Sequence, residues 1–175
     1  MRIELWLDFK SEESYLLHLE LKNVFEKHNP AELEVLYRSY PIRETKDETI
    51  PAHRLAHYAK RKDKAYLYHQ AVFKLCFEEN QPIDDPNTLI LASESIGLPI
   101  NEVNEILNSN EFYDTVQQNF ENALLKGITS IPHLRINGTV KRDGLIKAEE
   151  MVMLLKQKPI KRTTHCVDGV CRRSR

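Results

Sequence analysis

The chain has 175 residues, 41% hydrophobic and 29% charged, with a formal net charge of -1. That length fits one domain with room for an insertion, and a chain of this size buries roughly 70% of its unfolded surface without disulfide or metal support. Five glycines and an average apolar content exclude collagen-like and low-complexity classes, and the near-neutral balance argues against a surface devoted to nucleic acid.

Residues 3–9 are short, apolar and β-prone, and predict a buried strand ending at Asp8-Phe9. Ser11 then suits an N-cap, and Glu12 and Glu13 complement the dipole of a helix running to about His28. Leu17, Leu21, Val24 and Phe25 give that helix one apolar face, and Asn29-Pro30 stops it. Residues 33–39 alternate as a second strand, so the first three elements predict a βαβ unit with parallel strands. The pattern from Ile50 to Lys126 is helical, in segments of about 51–62, 64–79, 85–96, 101–108 and 110–126. Asp85-Pro86 is its clearest start signal. Strand character returns at 133–137 and 139–142, joined by Asn137-Gly138, the strongest short hairpin signal. A last helix is expected over 147–157.

This order predicts an α/β body, residues 1–158, with a helical insertion at about 50–126 and a basic tail, 159–175. From Lys156 to Arg175 there are seven basic residues and one acid, a local charge of +6 against -7 for the residues before it. No run of apolar residues is long enough for a membrane span. Met1-Arg2-Ile3-Glu4 passes directly into strand pattern with no apolar leader, so a reducing cytoplasm is the expected compartment.

The layout matches a thioredoxin-like fold, βαβ then ββα, in which a dithiol sits at the N-terminus of the first helix and a cis-proline precedes the third strand. Gly127-Ile128-Thr129-Ser130-Ile131-Pro132 falls where that proline loop belongs. Several stretches carry a closer likeness: Ile3 to Phe9, Ala52-His53-Arg54-Leu55-Ala56-His57-Tyr58-Ala59-Lys60, the loop Gly127 to Pro132, and Ile136-Asn137-Gly138. Over nearly its full length the chain resembles the DsbA-like thioredoxin-fold proteins, and within them the FrnE-like group. That resemblance implies a disulfide oxidoreductase whose cleft at Ile131 and Pro132 holds thiol, disulfide or extended peptide substrates. It also implies a tail dithiol with four residues between the cysteines, the spacing of Cys166 and Cys171.

The departure lies at the helix. Aligned on Asp8-Phe9, the Cys-x-x-Cys of redox-active members becomes Ser11 and Ser14, and serine forms no disulfide. Glu12 and Glu13 oppose any thiolate there. Any redox activity is then left to Cys166 and Cys171, and an inert tail stays open beside it. Asp168-Gly169 is a type I′ turn signal, and a two-residue hairpin sets these cysteines directly opposite each other. His165, Arg172 and Arg173 flank the pair and favour its thiolates.

Other candidates are weaker. Cys76 is expected as a small apolar group packed in a helix. A metal is not expected, because His165, Cys166 and Cys171 lack a fourth local ligand. His53 and His57 have i,i+4 spacing but no accompanying acid, and His133 follows the proline without a visible orienting partner. Three functions stay open: thiol–disulfide exchange through the tail, a noncatalytic peptide-binding module, and a glutathione-dependent transferase or isomerase. The last is suggested by the likeness of Ser11, Ser14 and Tyr15 to kappa-class glutathione transferases, and glutathione is the one cofactor considered. Nucleic acid and membrane are not expected partners.

Overall fold

The computed structural model describes residues 1–27 and 32–157, together with the backbone of two further strands at 164–167 and 170–173. The expected helix stop at Asn29-Pro30 and the Asp168-Gly169 turn lie outside the described residues. The body begins with β1 (Arg2–Leu7), α1 (Glu12–Lys27) and β2 (Glu34–Ser39). The insertion follows as α2 (Lys46–Arg61), α3 (Ala65–Phe73), α4 (Pro86–Ser95), α5 (Ile100–Leu107) and α6 (Tyr113–Leu125). Then come β3 (His133–Ile136), β4 (Val140–Asp143) and α7 (Ala148–Lys156), and a separate hairpin of β5 (Thr164–Val167) and β6 (Val170–Arg173).

The four body strands stand in the order β2-β1-β3-β4. β1 and β2 are parallel, as the intervening helix requires, and β3 pairs antiparallel with both β1 and β4. Alternation gives the sheet two faces. Ile3, Leu5 and Leu7 join Leu134 and Ile136 on one, packed against Leu17, Leu21 and Val24 of α1 and Met151 and Leu154 of α7. Trp6 occupies the other face with Tyr40, Ala123 and Ile128, under Phe120 of α6. This is the thioredoxin-like βαβ…ββα arrangement with its helical insertion.

Tertiary demands moved several boundaries. The helix expected from residue 51 begins at Lys46, so Pro51 stands inside it. The earlier start draws Thr49 and Ile50 into buried positions, and the acids Asp47 and Glu48 suit its first turn. α6 starts at Tyr113, not residue 110, because Phe112 takes a left-handed φ of 64° and breaks the helical path. The segment expected as one helix over 64–79 widens after Phe73 into a π turn, Lys74–Glu78. At the Asn137-Gly138 turn both residues have positive φ and Thr139 N–H donates to Ile136 O at 3.1 Å. Val140, not Thr139, then opposes Ile136. That one-residue bulge keeps Val140 against the core.

Arg54 ties the insertion together. Its Nε donates to Glu111 O at 2.7 Å, and its Nη2 donates to the carbonyls of Ile106 and Ser109, at the C-terminal end of α5. The guanidinium thereby adds donors to the carbonyls at the end of α5 and in the turn that follows it. Arg54→Leu is expected to lower unfolding free energy by about 3 kcal/mol, because buried acceptors lose charge-assisted bonds. The urea midpoint measures it.

Candidate functional site: a serine-capped helix beside a proline loop

The end of β1 is organised by Asp8, which has no exposed surface. Its Oδ1 accepts from Lys10 N–H at 2.7 Å. Its Oδ2 accepts from Ile42 N–H at 3.0 Å and Thr49 Oγ1 at 3.1 Å, and His53 Nε2 lies 3.3 Å away. A carboxylate only accepts, so His53 donates there. Sequence reading used Asp8 as a landmark and missed this role, because its partners on α2 and the preceding loop are remote along the chain.

Ser11 and Ser14 are both occupied by backbone. Ser14 N–H donates to Ser11 Oγ at 3.1 Å, the bond of an N-cap. Ser14 is fully buried, and its Oγ accepts from Asp8 N–H at 3.4 Å. Glu12 and Glu13 are exposed in the first turn. Tyr15 turns away from the pair: its ring stacks on Phe77 with centroids 5.0 Å apart, and its hydroxyl donates to Glu78 at 3.0 Å. Burial, with Glu78 second, pushes the Tyr15 hydroxyl pKa up.

The Ile131–Pro132 peptide is cis. His133 pairs with Trp6 across the ladder, so Pro132 lies beside the final residue of β1. The loop and the start of α1 therefore share one end of the sheet. Ile131 is half-buried against the Trp6 cluster, and Ser130 is exposed.

His133 is not brought to Ser11. It lies on the Trp6 face, edge-on to that indole at 5.3 Å, whereas α1 covers the opposite face. It does have an orienting acid unseen in the sequence, since its Nδ1 stands 2.6 Å from Asp143 Oδ1. Its Nε2 is buried without a partner.

His53 and His57 also separate. His53 serves Asp8, whereas His57 Nε2 lies 3.0 Å from Ser39 Oγ. Among the described residues no cluster of three His, Cys, Asp or Glu side chains forms a metal site. Cys76 is half-buried in the π turn, and desolvation raises its thiol pKa despite the nearby Lys10.

For the tail, the ladder sets Cys166 opposite Cys171, one step in from the Val167–Val170 pair that closes the hairpin. Their side chains lie outside the described residues.

Comparison with known proteins agrees with this architecture. Residues 2–157 match the model of the DSBA-like thioredoxin domain. The chain belongs to the DsbA-like thioredoxin-domain family. A probable DsbA oxidoreductase from Streptomyces coelicolor superposes with a TM-score of 0.78 at 18% identity, covering 98% of each chain. A 2-hydroxychromene-2-carboxylate isomerase gives 0.71 at 15% identity, over 88% of this chain and 92% of its own. A periplasmic thioredoxin-like protein from Salmonella enterica serovar Typhimurium gives 0.70 at 15%, over 89% and 82%. At these identities the likeness speaks for the fold. No curated protein matches the chain significantly. Among the described residues, no helix of this DsbA-like domain is long and apolar enough to cross a membrane.

The insertion and sheet enclose neutral histidines. Burial pushes His18 down to about 4, and burial, with His53, Lys60 and Arg38 adding, takes His57 down to about 4 from an ordinary 6.5. His69 is held well below its usual value by burial, with its Nδ1 donating to Ala65 O at 2.8 Å. Below pH 6.5 the unfolded chain takes up protons at His18 and His57 before the folded chain does. Stability should therefore fall between about pH 6.5 and 4, by on the order of 1 kcal/mol per pH unit for each ring. Urea midpoints at pH 7, 5.5 and 4.5 measure this, and a flat series contradicts neutral burial.

Proposed function

We propose that this DsbA-like protein carries out thiol–disulfide exchange through Cys166 and Cys171, with the Ser11–Ser14 helix kept as scaffold. The opposed register of the two cysteines supports this reading most directly. In a hairpin closed by a two-residue loop, that position is the non-hydrogen-bonded pair, with Cα atoms about 4.5 Å apart. A disulfide spans such a gap without moving the strands. The reduced pair gives two electrons to a substrate disulfide: one thiolate attacks, its partner resolves the mixed disulfide, and two substrate thiols leave. Cys76, with its raised thiol pKa, is poorly suited to lead.

Ile131 and Pro132 take the role of peptide contact in this reading. Leu124 and Leu125, at the end of α6 that leads into their loop, are 45% and 86% exposed and offer apolar surface to an extended chain. A noncatalytic binding module would use the same surface.

The test is reduction of a model protein disulfide with dithiothreitol as electron source. Cys166→Ser and Cys171→Ser should each bring the rate to the uncatalysed background, while Cys76→Ser leaves it unchanged. Full activity in the Cys166→Ser/Cys171→Ser double variant would exclude the tail dithiol.

Glutathione chemistry at Ser11 requires a hydroxyl able to donate to a bound thiolate. The Ser14 N–H contact occupies only an acceptor lone pair of Ser11 Oγ, so the exposed Glu12 and Glu13 are the stronger objection. Calorimetry with millimolar glutathione should give no saturable heat. A saturating isotherm lost in Ser11→Ala would favour the transferase reading.

A further inference from the structure

β2 is one of the two edge strands of the sheet, and its alternate backbone groups divide between a partner and open space. Glu34 N–H donates to Met1 O at 2.9 Å and Tyr40 N–H to Leu7 O at 3.1 Å. In a parallel ladder, Leu36 and Arg38 therefore also turn towards β1, and Val35, Tyr37 and Ser39 turn outward. Helices α2 and α3 close over the Ser39 end, where Ser39 meets His57. The Val35–Tyr37 end opens instead into a groove of about 680 Å³, walled by Phe25 and Tyr66, whose rings meet at 4.8 Å. Among the described residues, no strand pairs with this edge.

The C-terminal hairpin has the complementary deficiency. Among the described residues β5 and β6 pair only with each other, in strands of four residues. An isolated two-stranded hairpin is marginally stable in water and needs a third strand or an apolar surface. Its attachment point is close. Gln157, just past α7, lines one cavity with Glu34 at the start of β2, and the neighbours Leu33 and Val35 line the groove. Residues 158–163 reach up to roughly 20 Å when extended, the length of a six-residue strand. Charge draws the tail to the body as a whole, since the tail from Lys156 carries +6 and the rest of the chain -7, and the groove itself is balanced. Glu26 and Asp63 stand at the groove with Lys22 and Lys60.

We infer that the C-terminal hairpin docks one of its strand edges on the outer edge of β2 at Val35 and Tyr37, extending the sheet and covering the groove. A strand occupant is specified by the wall itself, because unpaired main-chain donors and acceptors seek an extended partner. The inference does not depend on the redox state or activity of the tail.

Amide hydrogen exchange on the full chain tests it. Val35→Pro removes an outward N–H, keeps an apolar side chain at the position and spares the hydrogen bonds to β1, so it should speed exchange of the β5 and β6 amides at least tenfold while β1 stays protected. Should that variant fold poorly, replacing 164–173 by a glycine–serine run of equal length should speed exchange at Val35 and Tyr37 by a similar factor. Unchanged rates in a folded variant overturn the inference. So does protection that falls on dilution alongside a sedimenting dimer, because a second copy then covers the edge.

Discussion

Asp8 is a carboxylate with no exposed surface, placed where β1 gives way to the first helix. Burying such a group costs several kcal/mol unless donors surround it. Here they come from three parts of the chain: Lys10 N–H from the turn, Ile42 N–H from the loop after β2, and Thr49 and His53 from α2. The requirement fixes how the insertion meets the sheet. It also accounts for the early start of α2, since a helix beginning at residue 51 leaves Thr49 unplaced. Ser14, receiving the Asp8 N–H, belongs to the same network.

Seen from that network, the two serines that open α1 are chemically coherent. Both hydroxyls serve backbone donors, and two exposed acids complete a favourable first turn. The cis-proline loop lies at the same end of the sheet. The thiols able to pair by register are those at the far end of the sequence.

Much of the fold was legible from periodicity and caps. The βαβ start, and Asp85 as a cap accepting from Asn87 N–H, emerged where the pattern put them, whereas the first insertion helix begins five residues earlier. Ser11 as a cap was legible for the same reason, a local bond over three residues. The Asp8 network was not, because its acceptor and donors are 34 to 45 positions apart. The His133–Asp143 pair was hidden by a single residue. A plain two-residue turn at Asn137-Gly138 sets Arg142 opposite His133, and the bulge brings Asp143 there instead.

The chain has one tryptophan, and its position gives the molecule an internal gauge. The Trp6 indole is nearly sealed between β1 and α6, with His133 at its edge and the Lys126 ammonium 5.6 Å above its ring. Both neighbours flank the segment that holds Ile131 and Pro132. The emission of this single indole therefore reports the seam between the sheet and α6 without an added label. It reads the packing around the cis-proline loop directly.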